Sequence, residues 1–161
     1  MVLTRWPSLL KRVRPTCTGR PNWLATLLNR ASAPLRALGI APNDHVTLEV
    51  RGRRSGRIIR LPLVMAVVES QRFLVSMLGT NADWVLNAKA AGGNVTLRHG
   101  RREEVHLEEL PPDQRAPALK AYLQRAPGAR PHLPIHKDAP LSEFEQLSPR
   151  FPVFRVVSFR A

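Results

Sequence analysis

Gly52-Arg-Arg-Ser-Gly-Arg57 lies between two apolar-rich segments, His45-Val-Thr-Leu-Glu-Val50 and Ile58-Ile-Arg-Leu-Pro-Leu-Val-Met-Ala-Val-Val68, and this stretch decides the fold. The first flank alternates polar and apolar side chains, the pattern of a half-buried strand. The second is a long apolar strand. Two strands joined by a short glycine-containing turn predict an antiparallel hairpin. Gly52 and Gly56 permit positive φ, so consecutive backbone N–H groups can converge on one anion. Ser55 adds a hydroxyl, and Arg53, Arg54 and Arg57 add forked charge suited to phosphate or carboxylate. Taken alone, the turn reads better as a solvated basic hairpin tip.

Outward from the hairpin, Glu69-Ser-Gln71 reads as a connection to a third strand, Arg72 to Leu78. Asn81 is placed to cap a helix from Ala82 to Ala91, with Asp83 at its positive end and Gly92-Gly93 stopping it. Two strands, Asn94 to His99 and Arg101 to Glu108, flank Gly100. A helix from Pro112 to Arg125 follows, then a proline-rich loop over 126–140. Ser142 and Glu145 have capping-box spacing, and Phe151 to Phe159 closes the chain as a strand. The order lacks regular βα alternation. It predicts a mainly β domain over 44–161, a largely antiparallel barrel with helices packed outside.

Residues 1–43 read as a basic, helical amino-terminal extension. Trp6, Leu9, Leu10 and Val13 recur at helical spacing beside Arg5, Lys11, Arg12 and Arg14, and Trp23 to Leu35 form a second run ended by Gly39. Such a helix suits an anionic lipid surface and equally suits docking on the barrel. The net charge is +13, and residues 1–60 carry +10 of it, which implies an acidic partner. Aromatic residues are only 6%, against a base-stacking nucleic-acid module. The longest apolar stretch, Leu61 to Val68, is far short of the roughly 20 residues of a membrane span. The lone Cys17 closes no internal disulfide. These features place the protein in the cytoplasm, with peripheral contact to the inner face of the membrane as the role open to the extension.

Gly-Arg-Arg-Ser-Gly-Arg, Pro62-Leu63, the strand pair leading to Gly79 and the segment Trp84-Val-Leu-Asn87, in that order and spacing, resemble the deazaflavin-dependent nitroreductase and quinone reductase family. The resemblance runs from Gly39 to Val157 and implies a split β-barrel related to flavin reductases. It implies coenzyme F420, an 8-hydroxy-5-deazaflavin with a tricyclic ring, a phosphate and a polyglutamate tail; FMN ranks behind it. Matched by position, Arg53, Arg54, Ser55 and Gly56 correspond to the phosphate-binding turn. Pro62 and Leu63 correspond to the strand beside the ring, with Arg57 or Arg60 as the candidates to replace an arginine the family carries where this chain has Ile59. Ser76, Met77, Leu78 and Gly79 correspond to the strand end lining the ring, and Trp84, Val85 and Asn87 to the helix start closing the site. The chain lacks a lysine near Leu78 and a tyrosine-bearing loop at 126–132, which points away from nitroimidazole chemistry.

The implied reaction is hydride transfer to a quinone-like or other small electrophilic acceptor, the protein supplying binding and orientation. No catalytic acid or base stands out. His132 and Tyr122 are candidate proton donors with a structural role favoured for each. No metal site is expected, since Pro134 breaks any helix that would align His132 with His136. His45, His99 and His106 read as surface residues, and Glu103-Glu104 and Glu108-Glu109 as solvated. A non-catalytic barrel holding a flavin, a fatty acid or a lipid is the alternative.

Overall fold

The structure, a computed structural model, describes residues 44–159. The helices expected within 1–43, their lipid-facing stripe and Cys17 lie outside the described residues.

Six strands form the wall: β1 (His45–Arg51), β2 (Ile58–Val68), β3 (Gln71–Val75), β4 (Asn94–His99), β5 (Arg101–Glu109) and β6 (Val153–Ser158). They close into a barrel in the order β1-β2-β3-β6-β5-β4, every pairing antiparallel. Three α-helices accompany them: α1 (Asp83–Ala90), α2 (Ala116–Arg125) and α3 (Leu141–Leu147). This is the mainly β, antiparallel barrel with helices outside that the strand order predicts, and it agrees with the split barrel that the resemblance implies.

Period-two alternation sorts the side chains. Val46, Leu48 and Val50 of β1 point inward to meet Val95, Leu97, Val105, Leu107, Phe154 and Val156. Val64, Ala66, Phe73 and Val75 point outward, beneath Leu119 and Leu123 of α2 and Phe144 of α3. The second half of β2 is thus apolar on both faces because one face lines the barrel and the other carries the helices. Helix α1 differs from the others. Its Trp84, Val85 and Ala88 join the interior cluster, so it plugs the end of the barrel where β1 turns into β2.

Several local expectations are corrected. The link from β2 to β3 is two residues, Glu69 and Ser70, at φ 49° and 65°, and Gln71 already pairs with Val68. Positive φ at both positions is the geometry that matches strand twist in a tight hairpin. Strand β3 ends at Val75, because the Ser76 hydroxyl donates to the Gly79 carbonyl at 2.7 Å and turns the chain. Asn81 does not cap α1: the helix starts at Asp83, and Ala82, with extended backbone, occupies the cap without a side-chain bond. Pro112–Gln114 form a separate 3-10 turn, and the α-helix begins only at Ala116, with Pro117 in its first turn where no N–H is needed. Ser142 forms no capping box, since α3 starts at Leu141 directly after Pro140. Strand β6 begins at Val153, two residues late, after Pro152.

Among the described residues no helix is long and apolar enough to cross a membrane.

Candidate functional site

The turn between β1 and β2 folds tightly over its own backbone. Gly52 N–H donates to the Arg57 carbonyl and Gly56 N–H to the Gly52 carbonyl, each at 2.8 Å. The two glycines serve different needs. Gly56 sits at φ +67°, the left-handed region that glycine enters without penalty. Gly52 has ordinary φ, but a Cβ there would lie 2.8 Å from Ser55 Oγ and 3.0 Å from Ile59 Cδ1. Its smallness lets the serine fold inward.

Arg53 is the link between the turn and α1. Its backbone N–H donates to Asn87 Oδ1 at 3.1 Å, and its guanidinium donates to the same oxygen at 2.8 Å and to Asp83 Oδ1 at 3.1 Å. Asn87 is buried, so this oxygen has no water to fall back on. Arg53 is therefore occupied in holding turn and helix together. Arg54 is exposed, and among the described residues its guanidinium and the backbone amides of Arg54 and Ser55 have no internal partner. Those donors stay available.

Between the turn and the helix lies a cavity of about 370 Å³. Its polar rim is Arg53, Arg54, Ser55, Asp83 and Asn87; its apolar wall is Ile59, Leu61 and Trp84. Trp84 is held edge-on against Phe154, ring centres 5.4 Å apart. The cavity thus pairs unspent donors with an apolar wall.

Of the residues singled out by sequence, the structure brings Arg53, Arg54, Ser55, Trp84 and Asn87 together at this cavity. The others stand elsewhere. Gly56 shapes the turn without lining the cavity. Val85 is fully buried in the barrel core, and Leu63 packs against that core. Pro62 pairs with Thr47 on the outward-facing register. Ser76 is buried in its turn with Gly79, Met77 packs on the outer cluster, and Leu78 is exposed. Sequence reasoning left out Ile59, Leu61 and Asp83. Alternation along β2 carries the signal for the first two, since they share a face that Arg60 does not.

Arg60 points away from the cavity. Its Nε donates to Glu49 Oε1 at 2.7 Å across the β1–β2 ladder. Arg98 and Arg102 reach the same carboxylate at 3.3 Å each, and Glu49 is only 4% exposed. Burial pushes its carboxyl up, but hydrogen bonds from Arg60 and Arg98 and the surrounding guanidinium charge outweigh that and hold it below the ordinary value. The acids read as solvated are mostly paired too. Glu103 takes two bonds from Arg72, Glu108 pairs with Arg155, and Glu109 with Lys89 and Arg115. His99 and His106 are half-buried and hydrogen-bonded rather than free on the surface. Tyr122 of α2 is buried in the outer cluster, where desolvation pushes its phenol up to about 12, and it does not line the cavity. Among the described residues no three His, Cys, Asp or Glu side chains gather as a metal site would need.

The sequence profile of the F420H(2)-dependent quinone reductase family matches residues 31–130. No curated protein sequence matches the chain. Among solved structures, the conserved hypothetical protein Rv2991 of Mycobacterium tuberculosis superposes with a TM-score of 0.54 at 16% identity, over 77% of this chain and 78% of that one. A structure described as a domain-swapped dimer gives 0.52 at 18% identity, over 83% and 92% of the two chains. A protein of Bacteroides thetaiotaomicron linked to 5-nitroimidazole antibiotic resistance gives 0.51 at 11% identity, over 81% and 78%. At these identities the superpositions establish the shared fold.

Proposed function

The chain belongs to the F420H(2)-dependent quinone reductase family and is with it an F420-dependent oxidoreductase, and from that premise we propose that it passes hydride to a quinone-like or other small electrophilic acceptor, with the cofactor's anionic arm seated on the β1–β2 turn. The observation that carries the placement is the set of unspent donors on Arg54 and Ser55 facing a cavity whose other wall is apolar. Phosphate asks for convergent N–H, hydroxyl and guanidinium donors, and a flat ring asks for a surface such as Trp84, Ile59 and Leu61. The residues present fit both demands.

When bound, the reduced deazaflavin supplies the hydride. The chain's share is placement. Arg54 and Ser55 would hold the charged arm, and the Arg53–Asn87 clip fixes the turn against α1 so that the donors are preorganised. Trp84 and its neighbours exclude water from the apolar side. Asp83 is the one carboxylate on the cavity rim, it is bonded to Arg53, and it is mostly exposed. We therefore assign the proton that accompanies hydride to solvent.

Fluorescence titration with oxidised F420, run beside FMN, tests the cofactor site. We expect saturation for F420 at micromolar concentration and none for FMN. Oxidation of F420H2 by menadione, followed by absorbance, tests the acceptor. Tight F420 binding with no turnover of menadione would sink the quinone assignment and leave the cofactor site standing. For residues 1–43, with seven basic and no acidic side chains, an anionic membrane surface is the partner we propose. Co-sedimentation with phosphatidylglycerol vesicles, lost on deleting residues 1–20, is the expected result.

A further inference from the structure

The two ends of the barrel are not alike. Helix α1 fills one end with Trp84, Val85 and Ala88. At the opposite end, where β1 begins and β6 finishes, no described helix closes the barrel, and a cavity of about 760 Å³ opens instead. Its floor is the underside of the core: Val46, Met65 and Leu97.

The wall of this cavity is polar and already satisfied. Arg72 donates to both oxygens of Glu103 at 2.7 Å, and Ser158 Oγ closes the triangle, accepting from Arg72 at 2.7 Å and donating to Glu103 at 2.6 Å. This triad is charge-neutral and needs nothing further. The rim is different. Arg101 has no carboxylate partner among the described residues, and Arg102 shares the single buried Glu49 with two other arginines. One exposed acid, Glu104, offsets this only in part, so the mouth carries surplus positive charge. His99 donates from Nδ1 to the His45 carbonyl at 2.9 Å, which fixes its ring at the mouth. Phe159, 62% exposed, offers a ring face at the same mouth.

We propose that this open end is a second ligand site, distinct from the turn, which takes a small aromatic carboxylate. The volume falls within the range of about 300–1,000 Å³ of ordinary small-molecule pockets. An apolar ring lies on Val46, Met65 and Leu97, where the Met65 thioether makes a favourable sulfur–aromatic contact. Its carboxylate meets Arg101 and Arg102 at the rim. The neutral triad forms the side wall and repels neither part. Because α1 and the barrel core separate the two ends, occupancy here leaves the turn untouched.

The test is a titration of the full-length, ¹⁵N-labelled chain with 2-naphthoate, with 2-naphthylmethylammonium as the charge-reversed probe. Saturable shifts at Val46, Leu97, His99 and Arg101 are expected, while Gly52 to Ser55 and Asn87 stay in place. Arg101→Glu, a rim change that spares the core, should weaken naphthoate by about fivefold, the scale of an exposed charge pair, and should not weaken the ammonium. Shifts confined to the turn, no saturation up to millimolar naphthoate, or equal affinity for both probes would each overturn the proposal.

Discussion

Asn87 Oδ1 takes two bonds from Arg53, one from its backbone nitrogen at 3.1 Å and one from its guanidinium at 2.8 Å. A single buried amide oxygen therefore fixes both the path of the turn and the direction of its arginine. Asn87→Ala leaves two donors short of a partner, at a cost of about 1–3 kcal/mol. Urea unfolding should show that loss, and F420 affinity should fall with it because the turn is no longer held. Asn87→Asp keeps the acceptor and should retain most of the stability, while its added negative charge on the cavity rim should still weaken F420 binding.

Arg54 gives the opposite pattern. It touches no described carboxylate and is exposed. Arg54→Ala should leave unfolding free energy within about 0.5 kcal/mol of the parent. Its F420 dissociation constant should rise about tenfold at low ionic strength and by much less at 1 M salt, where the Debye length shrinks to about 3 Å. A rise that ignores salt would mean the side chain does not meet the anion.

Glu103 sets a pH dependence. The hydrogen bonds from Arg72 pull its carboxyl down to about 2, burial opposes this, and Ser158 adds to it. A depressed folded-state value means that the unfolded chain binds the proton first as pH falls. The stabilisation is complete above about pH 4.5 and drains away toward pH 2. The side chain is 38% exposed, so solvent screening reduces the effect to about 1–2 kcal/mol. Glu103→Gln should flatten the stability curve in that window and change little in its slope above pH 5.

Glu49 holds three arginines from three strands. Glu49→Ala leaves Arg60, Arg98 and Arg102 facing one another without a counter-charge, but their side chains are 60%, 37% and 64% exposed, so water screens the repulsion and the cost is about 1–3 kcal/mol. Thermal unfolding should shift downward by several degrees. Glu49→Gln keeps acceptor geometry without charge and should fall between. If Glu49→Ala melted like the parent, the guanidinium cluster would not depend on this acid.

The strands were legible because alternation is local: β1, β2, β4 and β5 can be marked within a residue from side-chain pattern alone. Helix starts were not, because Asn81 and Ser142 look like caps in sequence while the backbone turns helical at Asp83 and Leu141. The glycine–arginine turn was readable as a tight basic connection between two strands. That Arg53 would be committed to Asn87, 34 residues away, was not, since it depends on where α1 docks. Arg60 shows the same limit from the other side. Its offset from Ile59 says that it faces outward, but only the register of β1 with β2 and β4 reveals the buried acid waiting there.

The wall of the barrel is unevenly stitched. β1 and β2 pair continuously from His45–Val64 to Arg51–Ile58, whereas β1 meets β4 only from Thr47–Arg98 to Glu49–Thr96, and β3 meets β6 only from Phe73–Arg155 to Val75–Val153. The cylinder is in effect two three-stranded half-shells laced along two short seams. Breathing should follow those seams, with amide exchange quickest there and slowest inside each half-shell. Arg53, from one half, clips onto a helix that leads into the other, so its bonds to Asn87 and Asp83 tie the two half-shells together at the plugged end.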